Sequence, residues 1–378
     1  MIPEPFDSII IGGGVNGCSI AYHLAKQGKK VLLLEKNKIG SEASSAAAGM
    51  LGVQAELDDP NSLFELAKKS RALFPAIASE IREVTHIDIE LIWNGQLKIA
   101  ETREQVIHYK KIADWQTSIG EKAVWLEPEE VLELEPSLSN NIHGALYFPE
   151  EGHVSAPQLT QGFAKAAAAF GAVIREFCEV QTLLIQDGTV NGVRTPTGDF
   201  YGQSIVVATG AWSRKWLPEG MNEKNAYFPV KGEAFSVQTN VPLLKRTVFT
   251  KGCYMVPKKG GELIIGATME PHTFDKSVSV EGLSQLMNKV KTLLPLIGTA
   301  TLDRFWSGIR PMTPDGYPYL GEHPELNHLF FAVGHSRNGI LLSPITGKSM
   351  ADLILGNTPS VDLTDFKLTR NKSQEVIL

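Results

Sequence analysis

Asp7-Ser8-Ile9-Ile10-Ile11-Gly12-Gly13-Gly14-Val15-Asn16-Gly17 carries an apolar strand straight into a Gly-x-Gly-x-x-Gly turn. Behind it Ile20, Ala21, Leu24 and Ala25 recur at helical spacing and Gly28 stands where a helix stops. Val31-Leu32-Leu33-Leu34 then reads as a buried parallel strand that ends in Glu35. Strand, glycine turn, helix, strand and terminal acid form the pattern that binds a dinucleotide. Each part has a mechanical reason. Gly12 permits the tight turn, Gly14 lets a pyrophosphate approach the backbone, and Gly17 lets the helix pack close to the sheet. The helix N-terminus, with Val15 and Asn16 in its first turn, offers free N–H groups and a partial positive charge to phosphate. Glu35 is placed to accept hydrogen bonds from an adenosine ribose. An acid there repels a 2′-phosphate, which disfavours NADP and leaves FAD and NAD.

The 378 residues are 43% hydrophobic and 21% charged, with a net charge of -6. That length builds a large core, in two domains or one elaborate one. No basic stripe is present, so nucleic acid is not expected as a partner. No apolar run reaches the length of a bilayer span, and Met1-Ile2-Pro3-Glu4 lacks the cationic start of a secretory signal. The expectation is a cytoplasmic protein with no membrane partner. Cys18, Cys178 and Cys253 lack metal-type spacing and read as reduced thiols. No cysteine follows position 253, so a thioether to a cofactor from the C-terminal third is impossible. Only the tail after about Asp365 reads as disordered.

No repeat or Gly/Ser linker divides the chain, so its two units must interleave. The expected fold class is α/β: a Rossmann-like nucleotide-binding domain, with a parallel sheet and helices, interleaved with an antiparallel-sheet substrate domain. The first takes residues 1–85, 153–225 and 325–370. In it fall a helix from Pro157 to Phe170, a strand from Val173 to Val180 and a strand at Ile205 to Ala208 that ends in a glycine turn. Its last pieces are a strand from Leu329 to Val333, the turn Gly334-His335-Ser336-Arg337-Asn338-Gly339, and a helix from about Ile340 to Leu355. The second takes 86–152 and 226–324, where alternation predicts strands at Leu91 to Ala100, Lys231 to Thr239 and Thr247 to Thr268. Lys258-Lys259-Gly260-Gly261 marks a hairpin turn, and an amphipathic helix from Val280 to Leu294 is expected to cover one sheet face. This plan places a ligand between the two units.

Gly40-Ser41-Glu42-Ala43-Ser44-Ser45-Ala46-Ala47-Ala48-Gly49-Met50-Leu51 is almost free of side chains. By itself such a run reads as a plain helix. Directly after the ribose-binding acid, it reads better as a second phosphate and flavin cradle, because a planar ring needs small residues and exposed amides beside it.

The glycine turn with Glu35, the Ser44 to Met50 run, Val207-Ala208-Thr209-Gly210-Ala211-Trp212-Ser213 and Gly334 to Ile340 together resemble the D-amino-acid oxidase family of flavoproteins. Cys253-Tyr254-Met255-Val256-Pro257, Gly266-Ala267-Thr268-Met269 and Phe305-Trp306-Ser307-Gly308-Ile309-Arg310-Pro311 extend the resemblance over nearly the whole chain. It implies non-covalent FAD, held by Gly12, Gly14, Val15, Asn16, Gly17, Glu35, Lys36, Ala43, Ser44, Ala48, Gly49 and Met50. Val180, His335, Ser336, Arg337, Asn338, Gly339, Ile340 and Leu341 are implied as further cofactor contacts. Tyr254, Arg310, Arg337 and Met269 are implied as substrate residues.

An arginine taken alone is most often a surface or salt-bridge residue. A guanidinium is nevertheless the group that grips an amino acid carboxylate in a fixed bidentate geometry, and the resemblance places Arg310 and Tyr254 there together. The implied activity is oxidative deamination of glycine and small amines such as sarcosine and D-alanine, to an oxo acid, ammonia or amine, and hydrogen peroxide. Its glycine imine would feed thiamine thiazole assembly, and a homotetramer is implied as well. No side chain is implied as acid or base. Some members with that activity carry a histidine two residues before the tyrosine, where this chain has Gly252. Two other readings are a dehydrogenase of D-amino acids or sarcosine that passes electrons to a quinone, and a non-catalytic flavin-binding partner protein.

Overall fold

The computed structural model describes residues 5–218 and 227–370. Expectations for the first four residues, for 219–226 and for the tail beyond 370 fall outside them. Two large sheets share the chain. The first runs in the order Tyr319–Glu322, Leu329–Val333, Gly198–Val207, Phe6–Ile11, Val31–Leu34, Val173–Arg175. Along that order all neighbours are parallel except the Tyr319–Glu322 edge, and the start of Gly198–Val207 pairs antiparallel with Thr189–Thr195. Continuous apolar strands such as Ile9-Ile10-Ile11 and Val31 to Leu34 are buried on both faces, as parallel strands must be. Ile11 pairs with both Leu34 and Val207, so Gly12, Glu35 and Ala208 emerge side by side at the carboxyl edge of the sheet. Ligands bind in parallel α/β sheets at that edge.

One face of the sheet carries the helices Val15–Lys26, Ser62–Thr85, Ala156–Ala169 and Gly339–Ile354, whose apolar sides form one core with it. Gly347 is what lets the first and last of these approach, because a Cβ there would overlap the Ser19 hydroxyl. The helix Ser62–Thr85 is capped by the Asn61 side chain, which accepts from the Phe64 N–H at 2.9 Å, and it contains Pro75. The other face is covered by the hairpin of Thr182–Gln186 and Thr189–Thr195.

The second sheet is mostly antiparallel and is assembled from Gln96–Ile99, Val124–Leu126, Ala145–Phe148, Phe228–Gln238, Thr247–Thr250, Cys253–Pro257, Glu262–Gly266, Glu270–Pro271 and Thr301–Met312. The amphipathic helix Val280–Leu293 packs Leu286, Val290 and Leu293 against one face of it. A two-stranded pair, Met50–Leu51 with Gly152–His153, joins the small-residue run to the segment leading back to the first sheet.

Several expectations are corrected. The strand expected to reach Val180 stops at Arg175; Phe177 has a φ of 56°, and the Cys178 N–H turns back to the Glu35 carbonyl at 2.8 Å. The strand expected from Leu91 begins at Gln96, because Glu90 and Gly95 both take positive φ. Thr247 to Thr268 is three strands, broken at Gly252 as well as at Lys259–Gly261. The strand Tyr319–Glu322, which lies in the residues expected for the second unit, pairs in the first sheet. Chain order also continues past Asp365: Phe366 and Leu368 are buried, and Arg370 grips Asp315 with two hydrogen bonds of 2.9 Å. The helices Ser62–Thr85 and Arg103–Ser118 were not anticipated.

Candidate active site

A cavity of about 900 Å³ opens at the carboxyl edge of the parallel sheet and continues to the antiparallel sheet. At its first end the glycine turn behaves as mechanics requires. Gly12 has a φ of 107°, and a Cβ there would crowd the Ala208 carbonyl. A Cβ at Gly14 would meet only the Ser44 hydroxyl, at 3.4 Å, so the space above Gly14 is left for a ligand. The helix Val15–Lys26 has no side-chain cap; its first amide donates to Ser44 Oγ at 2.9 Å. Glu35 reaches back under the turn and accepts from the N–H groups of Gly13 and Asn37 at 2.7 and 2.8 Å. Each carboxylate oxygen keeps a further lone pair for a ribose hydroxyl.

The small-residue run is only partly helical. Ala43–Ala46 makes one turn, and the chain then extends through Ala48 to Met50. Trp306 from the antiparallel sheet fixes it by donating from Nε1 to the Ala46 carbonyl at 3.0 Å. Gly308 permits this approach, because a Cβ on it would press on Ala46 Cβ. A flat wall results. Lys36, Trp212 and Phe274 shape the rim, with the ammonium 3.9 Å from the indole centroid and the two rings 5.6 Å apart.

At the far end Arg310 stands on the strand Thr301–Met312 and Tyr254 on Cys253–Pro257, and the hydroxyl lies beside the guanidinium. Two glycines clear the space they occupy. A Cβ at Gly232 would overlap the guanidinium, and one at Gly266 would overlap the phenol. Arg310 Nη1 donates to the Thr268 carbonyl at 3.3 Å, and no acidic side chain among the described residues forms an ion pair with Arg310. Burial pushes its pKa down and pushes that of Tyr254 up, so near neutral pH the pair presents one cation and one neutral O–H donor. Met269 lines the same end. Arg337 lines it too, but its guanidinium is held at 2.8 Å by Glu56.

The cavity therefore brings together nearly all residues anticipated from the sequence: Gly12, Gly14, Val15, Asn16, Glu35, Lys36, Ala43, Ser44, Ala48, Gly49, Met50, Val180, His335, Ser336, Asn338, Gly339 and Ile340 line it with the substrate-end residues. Two do not. Gly17 lies one layer back, where a Cβ would overlap the Gly12 carbonyl. Leu341 turns into the core, its carbonyl accepting from Ser70 at 2.6 Å. His335 is buried and neutral, burial lowering its pKa to about 3, with Nε2 3.0 Å from Thr346 Oγ1.

Glu56, Trp306 and Gly232 escaped sequence reasoning. A glycine inside a strand is a usable sign of close approach, and Lys231-Gly232-Glu233 carried it. Glu56 and Trp306 have no local signal at all.

The donor set fits a flavin dinucleotide. The Asn16 side-chain oxygen and the Trp216 indole N–H are buried against the cavity without a partner among the described residues, one acceptor and one donor left for a ligand. The helix Gly339–Ile354 begins at the cavity with no side-chain cap on its amides.

Comparison with known proteins agrees. The chain is 47% identical to a glycine oxidase of Geobacillus kaustophilus (strain HTA426) over 97% of each. The crystal structure of glycine oxidase from Geobacillus kaustophilus superposes with a TM-score of 0.93 at 45% identity, covering 98% of this chain and 100% of the other. A bifunctional ThiO/ThiG protein of Trichormus variabilis is 34% identical over 97% of this chain and 55% of its own length. The family model of FAD dependent oxidoreductases of the DAO type matches residues 7–353, and the chain belongs to that family, with FAD as its cofactor.

Proposed function

We propose that the chain oxidises glycine and small primary or secondary amines such as sarcosine and D-alanine. The observation that carries this reading is the Arg310 guanidinium, facing the cavity without a counter-ion among the described residues and with Tyr254 beside it. A cation left unpaired in a partly desolvated site is matched by one carboxylate, and a planar fork holds that carboxylate in one orientation. The glycine oxidase relatives support the small substrate. The chain's own likeness to a ThiO/ThiG protein supports delivery of the glycine imine to thiamine thiazole assembly.

Bound FAD supplies the two-electron acceptor and returns the electrons to O2 as hydrogen peroxide. The residues of the chain bind and orient. Arg310 and Tyr254 fix the carboxylate, and Met269 limits the space near it. The first-turn amides of Gly339–Ile354 supply positive potential at the cavity wall. No side chain is assigned as acid or base, because the neutral amine lone pair assists departure of the Cα hydride. The balanced reaction is glycine + O2 + H2O → glyoxylate + NH3 + H2O2.

In this reading FAD occupies the unit made of 1–85, 153–225 and 325–370, joined by the strand Tyr319–Glu322, with the rest of 86–152 and 226–324 supplying the substrate wall. The cofactor contacts are the lining residues named above, with Gly17 and Leu341 acting from behind them. The enzyme works in the cytoplasm as a homotetramer. Among the described residues no helix is long and apolar enough to cross a membrane. The test is anaerobic addition of glycine to the yellow protein, which should bleach it, followed by peroxide formation when air enters. Arg310→Ala should retain FAD while kcat/KM for glycine falls by about 30- to 1,000-fold, corresponding to about 2–4 kcal/mol. Yellow protein that glycine does not bleach overturns the reading.

A further inference from the structure

We infer that Lys258 is a positioning residue for FAD: its ammonium holds the Ala48 carbonyl away from the cavity, so that the Gly49 N–H faces the flavin. The inference rests on placing the ring against the Ala43 to Met50 wall.

Lys258 follows the strand Cys253–Pro257, in which alternate residues share a face. Tyr254 serves the substrate end, Val256 packs on Ala48, and Lys258, next on that face, passes behind the wall. Its Nζ donates to the Ala48 carbonyl at 2.6 Å and the Val154 carbonyl at 2.9 Å, and lies 3.4 Å from His153 Nδ1. Three N–H donors thus meet three acceptors, and no carboxylate among the described residues forms an ion pair with it. Burial lowers its pKa to about 8. Burial and the neighbouring ammonium keep His153 neutral, with a pKa near 3, so its ring can accept at Nδ1. A cation held by two carbonyls and a neutral imidazole, with no carboxylate, is a costly way to brace a wall that an apolar side chain could fill.

What it braces is a peptide plane. In a trans peptide the N–H points opposite to the carbonyl, so fixing Ala48 O on Lys258 turns the Gly49 N–H the other way. That N–H has no acceptor among the described protein groups, and both residues line the cavity. Gly49 has a φ of 84°, and a Cβ there would overlap the Val154 carbonyl that Lys258 also holds. Trp306 does the same for Ala46 with a neutral donor.

The test uses full-length apoprotein titrated with FAD, following flavin fluorescence quenching and the visible absorption band of the bound ring. Lys258→Met should raise the FAD Kd about tenfold, the worth of one charge-assisted hydrogen bond, and shift the band. Lys258→Arg, which keeps charge and donors, should restore both. If the Met variant fails to fold, Lys258→Gln, uncharged and one atom shorter, replaces it and should raise the Kd and shift the band in the same direction. Variants that match wild type in Kd and spectrum overturn the inference. Wild-type protein that binds FAD without perturbing its spectrum overturns the ring placement itself, independently of any variant.

Discussion

The two ends of the cavity are built by opposite means. The nucleotide end is made of backbone: a turn with Gly12 at φ 107°, a helix start without a side-chain cap from its own N-cap residue, and a run of alanines and serines. The carboxylate end is made of two large side chains, Tyr254 and Arg310, admitted only because Gly232 and Gly266 lack a Cβ. One end is specified largely by the contiguous stretch from Gly12 to Met50. The other is brought together by register between distant strands: Val230 opposite Arg310, and Gly266 opposite both Ala234 and Tyr254. The cofactor is therefore read from a local motif, whereas the substrate is read from sheet geometry. Damage at the two ends should be separable.

The largest separation is expected from Gly17→Ala. Its Cβ would overlap a backbone oxygen that no rotamer can move, so helix and turn must part. Overpacking of that kind costs about 3 kcal/mol or more. Denaturant unfolding should show that loss and FAD titration a collapsed affinity; a stable, yellow variant would break the comparison. At the other end, Gly232→Ala forces the Arg310 guanidinium to shift, and a misplaced charged hydrogen bond costs about 1.5–3 kcal/mol. KM for glycine should rise about 10- to 100-fold while FAD affinity and melting temperature stay near wild type. An unchanged KM would mean that Arg310 does not hold the carboxylate.

Legibility follows the same division. From Asp7 to Glu35 every sequence inference depends on neighbours in the chain, and the strand, turn, helix and acid all appear where expected. Val173 to Val180 shows the limit: a β-rich run looks like a strand until the left-handed Phe177 and the hydrogen bond to Glu35 redirect it, and neither is visible in composition. The long helix Ser62–Thr85 carried an Asn cap and apolar spacing from Leu63 to Ile81, but Pro75 interrupts the helical reading. Arg310 and Tyr254 became visible only through family resemblance, since nothing within either strand says that the other lies beside it. Glu56 is the extreme case, a single acid whose importance is a salt bridge to Arg337.

Two buried histidines, His335 in the cavity lining and His153 beside Lys258, provide a pH test of this packing. His153 and His335 are held neutral by burial, with native pKa values of about 3 against an unfolded value near 6.5. Between those values the unfolded chain binds more protons than the native one. Stability is therefore full above pH 6.5 and is lost as pH falls toward 3, by at most about 1.4 kcal/mol per pH unit for each histidine. Urea titrations at pH 7, 6, 5 and 4 should show this acid limb, and His335→Gln should make it shallower. An identical slope in the variant would show that His335 does not stay neutral in the fold.

The smallest effect is expected at Gly252, where the two ends meet their difference in reverse: here a backbone residue stands at the side-chain end. Gly252 has a φ of 80°, lines the cavity, and a Cβ built on it would meet nothing within 4 Å. Space is not what excludes a side chain; the left-handed backbone is. Gly252→His should therefore fold, at a cost of about 1 kcal/mol for the strained φ. The added ring would stand near Tyr254 and narrow the room beside the substrate amine. Sarcosine, with its N-methyl group, should lose ground to glycine, the ratio of their kcat/KM values falling by roughly threefold to tenfold, equivalent to about one methyl group in a packed pocket. A ratio that does not move would place the amine elsewhere in the cavity and would detach Tyr254 from the orientation proposed for the carboxylate.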